Sequence, residues 1–157
     1  MSLFNFFLIL HIVGGTLGLL AGSITILAKK GDKRHRLTGR IFGVCMLGAG
    51  ISSLILAALH RNDFLFVVGI FTIYMTGTGW RYLAFKNLYV LQKVQFIDWT
   101  LIVFMLIGCI LFLWFGVSYI YQKNYFGLIT LLFFWRGITF VRQDIHFFSG
   151  QRKTNND

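Results

Sequence analysis

The sequence predicts an all-α, polytopic transmembrane helical bundle, and three observations predict it. Hydrophobic residues make up 57% of the 157 residues and charged residues only 13%, where a soluble domain carries about 25% charged. The apolar residues fall in uninterrupted runs long enough to cross a bilayer. The basic residues collect in the short gaps between those runs. A chain this apolar cannot cover its own core with polar surface, so lipid is the partner its surface calls for. The eighteen Phe and four Trp suit lipid-facing helices with aromatic ends. There is no proline, which favours straight spans over the broken helices common around transporter sites.

The first run extends from Leu3 to Ala28. As a helix it is roughly 39 Å long, more than the ~30 Å hydrocarbon core requires, so it tilts or begins at the surface. No Lys or Arg precedes it, and it is too long for a leader's apolar segment; it is expected to persist as the first span. The basic stretch Lys29–Arg36 ends it, with Gly31 as the helix stop.

The second run covers Ile41 to Leu59 and closes at His60-Arg61-Asn62-Asp63. The third covers Phe64 to Ala84. Residues 85–97 mix Lys86, Asn87, Gln92, Lys93 and Gln95 with apolar side chains, the pattern of an amphipathic connector at the interface. The fourth run covers Trp99 to Tyr121, and after Gln122-Lys123-Asn124 the fifth covers Tyr125 to Val141. About 17 residues is close to the minimum for a span, so four spans with a surface-lying last segment is the alternative to five. The bundle is expected over residues 1–149, with 150–157 as a polar, disordered cytoplasmic tail.

The net charge of +10 follows membrane orientation rather than a nucleic-acid footprint. In a five-span chain Arg61 and Lys123 fall on one side. The other basic residues, except Arg136 within the fifth run, fall on the opposite side. The positive-inside rule then puts the N-terminus outside and the C-terminus in the cytoplasm of a bacterial inner membrane. The Lys29–Arg36 stretch is expected to attract anionic lipid head groups.

Gly14, Gly18 and Gly22 form a small-residue ridge on the first span, and Gly48, Ala49, Ser52 and Ser53 a patch on the second. Such surfaces let backbones approach closely. Packing of spans one and two on each other is the first reading, and a homo-oligomer face the second. Cys45 and Cys109 lie in apolar runs without ligand spacing and read as small hydrophobes. No metal site, nucleotide loop or hydrolase motif appears.

Few polar residues are placed to carry chemistry. His11 lies within the first span, and an intramembrane ionisable residue is a functional candidate by default. His11 with His60, and His35 with His146, make two histidine pairs at opposite faces, the arrangement of a b-type haem or quinone-linked redox protein. Arg136 shares a helix face with Phe140 and Asp144, and would snorkel inward or pair with a carboxylate on another helix. A small proton-coupled transporter would centre on Arg136 and the inner carboxylates. Arg36, Arg40, Arg81, Asp98, Arg142 and Asp144 cluster at inner helix ends as a polar network, either tying those ends together or serving as a proton or anion site.

The pattern His11-x-x-Gly14 with Gly18 and Gly22, then Lys30-Gly31-x-x-x-His35-Arg36-x-x-Gly39-Arg40, resembles a family of small bacterial multi-pass membrane proteins without an established activity. Tyr74, a Gly79-Trp80-Arg81 turn, Asp98 and Arg142-x-Asp144 are similar too. The resemblance implies that His11, His35, Arg36, Arg81 and Asp144 belong to a shared pattern. Longer members continue into a further helix bearing another histidine, beyond the last residue here. The resemblance supplies no reaction. The expectation is a membrane bundle, a subunit or accessory protein, with a polar site near the cytoplasmic face.

Overall fold

The computed structural model describes residues 2–84 and 94–154. Among the described residues it is all-helical, with no strand and five helices: α1 (Leu3–Leu27), α2 (Lys33–Leu59), α3 (Asp63–Ala84), α4 (Phe96–Tyr121) and α5 (Phe126–Thr154). Four are long and apolar enough to cross a membrane: α1, α2, α3 to Tyr82, and α4. The fifth run is a helix but is not among them, because Arg136 and the Arg142-Gln143-Asp144 sequence dilute its apolar stretch. Side-chain exposure agrees with a lipid environment. Ile26 and Leu27 on α1 are 84% and 87% exposed, as helices surrounded by hydrocarbon rather than water permit.

Local chemistry sets the helix ends. The Asp32 side chain caps α2 by accepting from the Lys33 backbone N–H at 2.7 Å, one of the donors a helix start leaves unpaired. α2 therefore begins eight residues before its apolar run, and most of the expected basic loop is its first two turns. Gly31 does adopt a left-handed φ of +86°, but in a Lys29–Asp32 turn closed by a 3.1 Å backbone bond, after α1 has already ended at Ala28. Glycine suits that position because a Cβ there is strained.

The short α4–α5 hairpin is formed as expected. Lys123 takes φ +56°, the Asn124 N–H reaches back to the Tyr119 carbonyl at 2.8 Å, and the Asn124 side chain caps Phe126 N at 2.9 Å. This is a Schellman-type stop followed at once by a helix start. Gly79-Trp80-Arg81 is helical, not a turn. α5 carries helix five residues past the expected start of the tail. Most of the expected connector lies outside the described residues, as do Lys86 and Lys93, and Phe96 and Ile97 belong to α4.

The chain divides into two compact units, Met1–Thr76 and Gly77–Asp157. In the first, the glycine ridge of α1 packs on α2. A Cβ on Gly14 would meet the Cys45 carbonyl oxygen at 3.2 Å, and one on Gly22 would meet the Phe42 ring at 3.0 Å. α2 in turn approaches α3 closely, since a Cβ on Gly69 would meet the Gly50 carbonyl oxygen at 3.2 Å. In the second, α4 and α5 meet at Gly116 and Gly127, and Phe112, Met105 and Cys109 are buried.

Candidate functional site

In the first unit, both histidines within the α1–α2 pair end on main-chain carbonyls. His11 Nδ1 lies 2.9 Å from the Ala49 carbonyl oxygen on α2, and His35 Nδ1 lies 3.0 Å from the Thr25 carbonyl oxygen on α1. A carbonyl only accepts, so Nδ1 carries the proton in each ring and Nε2 is left over. The two bonds run in opposite directions, α1 to α2 and α2 to α1. Thr25 and Thr38 add a hydroxyl pair 2.7 Å apart beside His35. His11 therefore points toward the neighbouring helix.

His60 is the C-cap of α2, is exposed, and packs edge-on against Phe4 at 4.2 Å. Ala49, to which His11 bonds, lies three turns earlier, roughly 16 Å along the helix axis. One haem iron needs both ring nitrogens within about 2 Å of it, as His–metal bonds require. The structure does not bring His11 and His60 together in that way. His35 and His146 belong to different units. His146 is exposed on α5, along an open groove lined by Trp135, Thr139 and Arg142.

A cavity of about 140 Å³ adjoins His11. Gly15 and Leu19 of α1, Met46, Ala49, Gly50 and Ser53 of α2, and Val68 and Thr72 of α3 line it. It lies wholly within the first unit.

The second unit holds a polar cluster of different chemistry. Arg81, near the end of α3, grips Asp98 through two parallel bonds: Nε to Oδ1 at 2.5 Å and Nη2 to Oδ2 at 2.8 Å. This is the bidentate geometry that a guanidinium and a carboxylate share. Asp98 Oδ2 also accepts from the Gln95 backbone N–H at 2.8 Å, so the carboxylate caps α4 as well. The Asp98 side chain is fully buried. Beside this pair, the Tyr82 hydroxyl donates to Asp144 Oδ1 at 2.5 Å. The Tyr82 ring packs against Phe147 and Phe148. Asp144 is 6% exposed, so both buried carboxylates are bonded, as buried polar groups must be.

Of the expected inner network, Arg81, Asp98 and Asp144 are thus engaged in the second unit. Tyr82 is the member that sequence reading missed. Its only sequence signal is a tyrosine next to an arginine at a helix end. Arg142 is exposed on α5, and Arg36 and Arg40 are exposed on the first turns of α2. Of the two expectations for Arg136, the carboxylate pairing is not formed among the described residues. Arg136 is exposed, and its guanidinium sits 4.9 Å over the Phe140 ring. A cation–π contact to its own helix replaces the expected pairing.

Among the described residues no three His, Cys, Asp or Glu side chains gather as a metal site. The chain matches no family model, no curated protein and no solved structure.

Proposed function

We propose that this chain is a multi-pass protein of a bacterial inner membrane, N-terminus outside and C-terminus in the cytoplasm, acting as a subunit or accessory protein. Its polar layer is Arg81, Tyr82, Asp98 and Asp144. The bidentate pair of half-buried Arg81 with buried Asp98 carries the reading. A charged pair held at the end of apolar helices fixes their register and supplies a charge-balanced platform at the interface. Lys29, Lys30, Lys33, Arg34 and Arg36 are all exposed, which supports contact with anionic head groups, each contributing about 1 kcal/mol near the surface. Kinship with the small bacterial multi-pass family belongs to the same proposal, on the residues that carry the resemblance.

The orientation has a direct test. A fluorescent protein that folds only in the cytoplasm, fused after Asp157, is expected to fluoresce, and alkaline phosphatase at the same place to be inactive. The reverse result removes the N-out, C-in five-span orientation. The subunit reading predicts a second chain in stoichiometric amount when the tagged protein is purified from its own membranes in mild detergent. Recovery of this chain alone overturns it.

A further inference from the structure

We propose that the cavity beside His11 binds a single six-membered aromatic ring bearing a hydroxyl, as found in a phenol or in the hydroquinone head of a lipid-soluble quinol. The proposal stands apart from the polar layer of the second unit and needs only the first unit in a membrane.

Size comes first. The cavity holds about 140 Å³, and an apolar cavity of about 150 Å³ accommodates one benzene. A porphyrin does not enter a space of this size. The wall is built mostly from Gly15, Leu19, Met46, Ala49, Gly50 and Val68, which suits an apolar ring. A Cβ added at Gly15 would meet nothing within 4 Å, so the α1 wall is open at that residue.

The chemistry of the wall is selective. His11 lines the cavity and its Nδ1–H is committed to the Ala49 carbonyl, so in the uncharged ring that the proposal takes, Nε2 is the remaining acceptor. No described residue bonds to Nε2. The Ser53 hydroxyl is turned away, donating to the Gly50 carbonyl at 2.7 Å. Thr72 has no hydrogen-bond partner among the described residues and is the other polar group on the wall. An acceptor in apolar surroundings is costly until a donor reaches it. An acyl chain would fill the space and leave Nε2 unpaired. A water could bridge Nε2 and Thr72, the minimum of two partners, but it would leave the apolar wall uncovered. A hydroxylated ring does both tasks: its face covers the apolar wall and its O–H donates to Nε2.

The test uses full-length protein in detergent micelles, labelled with ¹⁵N-histidine, with the His11 signal assigned by its loss in His11→Phe. Phenol is expected to produce a saturable shift confined to His11 Nε2. Anisole, which keeps the ring and lacks the O–H, is expected to bind about tenfold more weakly, near the upper range for one net hydrogen bond. Gly15→Leu fills the open side and is expected to abolish the phenol shift while leaving the thermal unfolding midpoint unchanged. A short-chain hydroquinone that binds more tightly than phenol identifies a quinol head, and one that binds more weakly identifies a small free phenol; either supports the ring site. No saturable shift, equal binding of phenol and anisole, or full phenol binding by folded Gly15→Leu overturns it.

Discussion

Between α1 and α2, His11 and His35 each end on a main-chain carbonyl of the opposite helix, and Ser52, Ser53 and Thr38 also bond to carbonyls. In the second unit, Arg81 and Asp98 bond to each other, as do Tyr82 and Asp144. The difference lies in what is left when one partner is removed. A carbonyl within a helix keeps its ladder bond after losing a side-chain donor. A buried carboxylate or guanidinium that loses its partner leaves an uncompensated charge. The first unit is therefore expected to degrade gently under mutation and the second sharply.

The sharpest way to break this contrast is Asp98→Ala. It removes the buried partner of Arg81 and the cap on Gln95 N–H together. Breaking a fully buried pair from one side costs about 3–5 kcal/mol; with Arg81 half-buried the loss is expected at about the lower end, read as a lower unfolding midpoint in a detergent denaturation series. The double variant Arg81→Met with Asp98→Leu is expected to recover most of that loss, since an apolar pair of similar volume replaces a buried ion pair at little cost. A double variant as unstable as Asp98→Ala would show that the cap, not the pair, matters.

Backbone approach supplies the next comparison. A Cβ on Gly127 would lie 2.7 Å from the Gly116 carbonyl oxygen and 2.9 Å from Ile120 N, and backbone atoms cannot turn aside. Gly127→Ala is expected to cost about 1–3 kcal/mol, the range for overpacking. Gly14→Ala in the first unit meets its nearest atom at 3.2 Å and is expected to cost less. Equal losses would mean that the α1–α2 ridge is as unforgiving as the α4–α5 contact.

Much of this fold is legible in the sequence because bilayer thickness dictates run length. The ends of α1, the start of α3 and the Lys123 hairpin follow from hydropathy and turn chemistry alone. The start of α2 is not legible that way. Lys33 to Arg40 is polar in composition, yet Asp32 caps it and the helix runs on into the membrane. Composition reports the solvent around a segment, not its backbone. The glycine ridge is legible as an internal face, while the Gly50–Gly69 approach is hidden because it uses one glycine from each helix rather than a repeated row. At the polar layer, Arg81, Asp98 and Asp144 stand out as charges beside apolar runs. Tyr82 does not, since a tyrosine at a helix end is ordinary; only the fold brings its hydroxyl to Asp144. Arg136 misleads for the opposite reason. Its spacing to Asp144 places both on one face in sequence, but Asp144 is buried and Arg136 is exposed.

Tyr82→Phe sharpens the side-chain arm of the comparison. The ring and its contacts with Phe147 and Phe148 remain, and the hydroxyl bond to Asp144 is lost. Interhelical side-chain bonds in membranes contribute about 0.6 kcal/mol on average and about 1.7 at most. A carboxylate acceptor puts this bond toward the upper value. The check is the same denaturation series, with Tyr82→Phe falling between Gly127→Ala and the histidine variants.

The smallest effect is expected at the histidine staples, and the two need not be equal. After His11→Phe, the Ala49 carbonyl still accepts from the Ser52 hydroxyl at 3.0 Å, so the loss is expected near the average of about 0.6 kcal/mol. Thr25 lies in the last turn of α1, where carbonyls run out of helical N–H partners. His35→Phe withdraws a donor from such a carbonyl and from the negative end of the helix dipole, so it is expected to lose more, about 1 kcal/mol. The order His35→Phe above His11→Phe distinguishes a capping bond from a mid-helix bond. The reverse order would mean that His11 is held by something besides Ala49, and the cavity it lines is the first place to look.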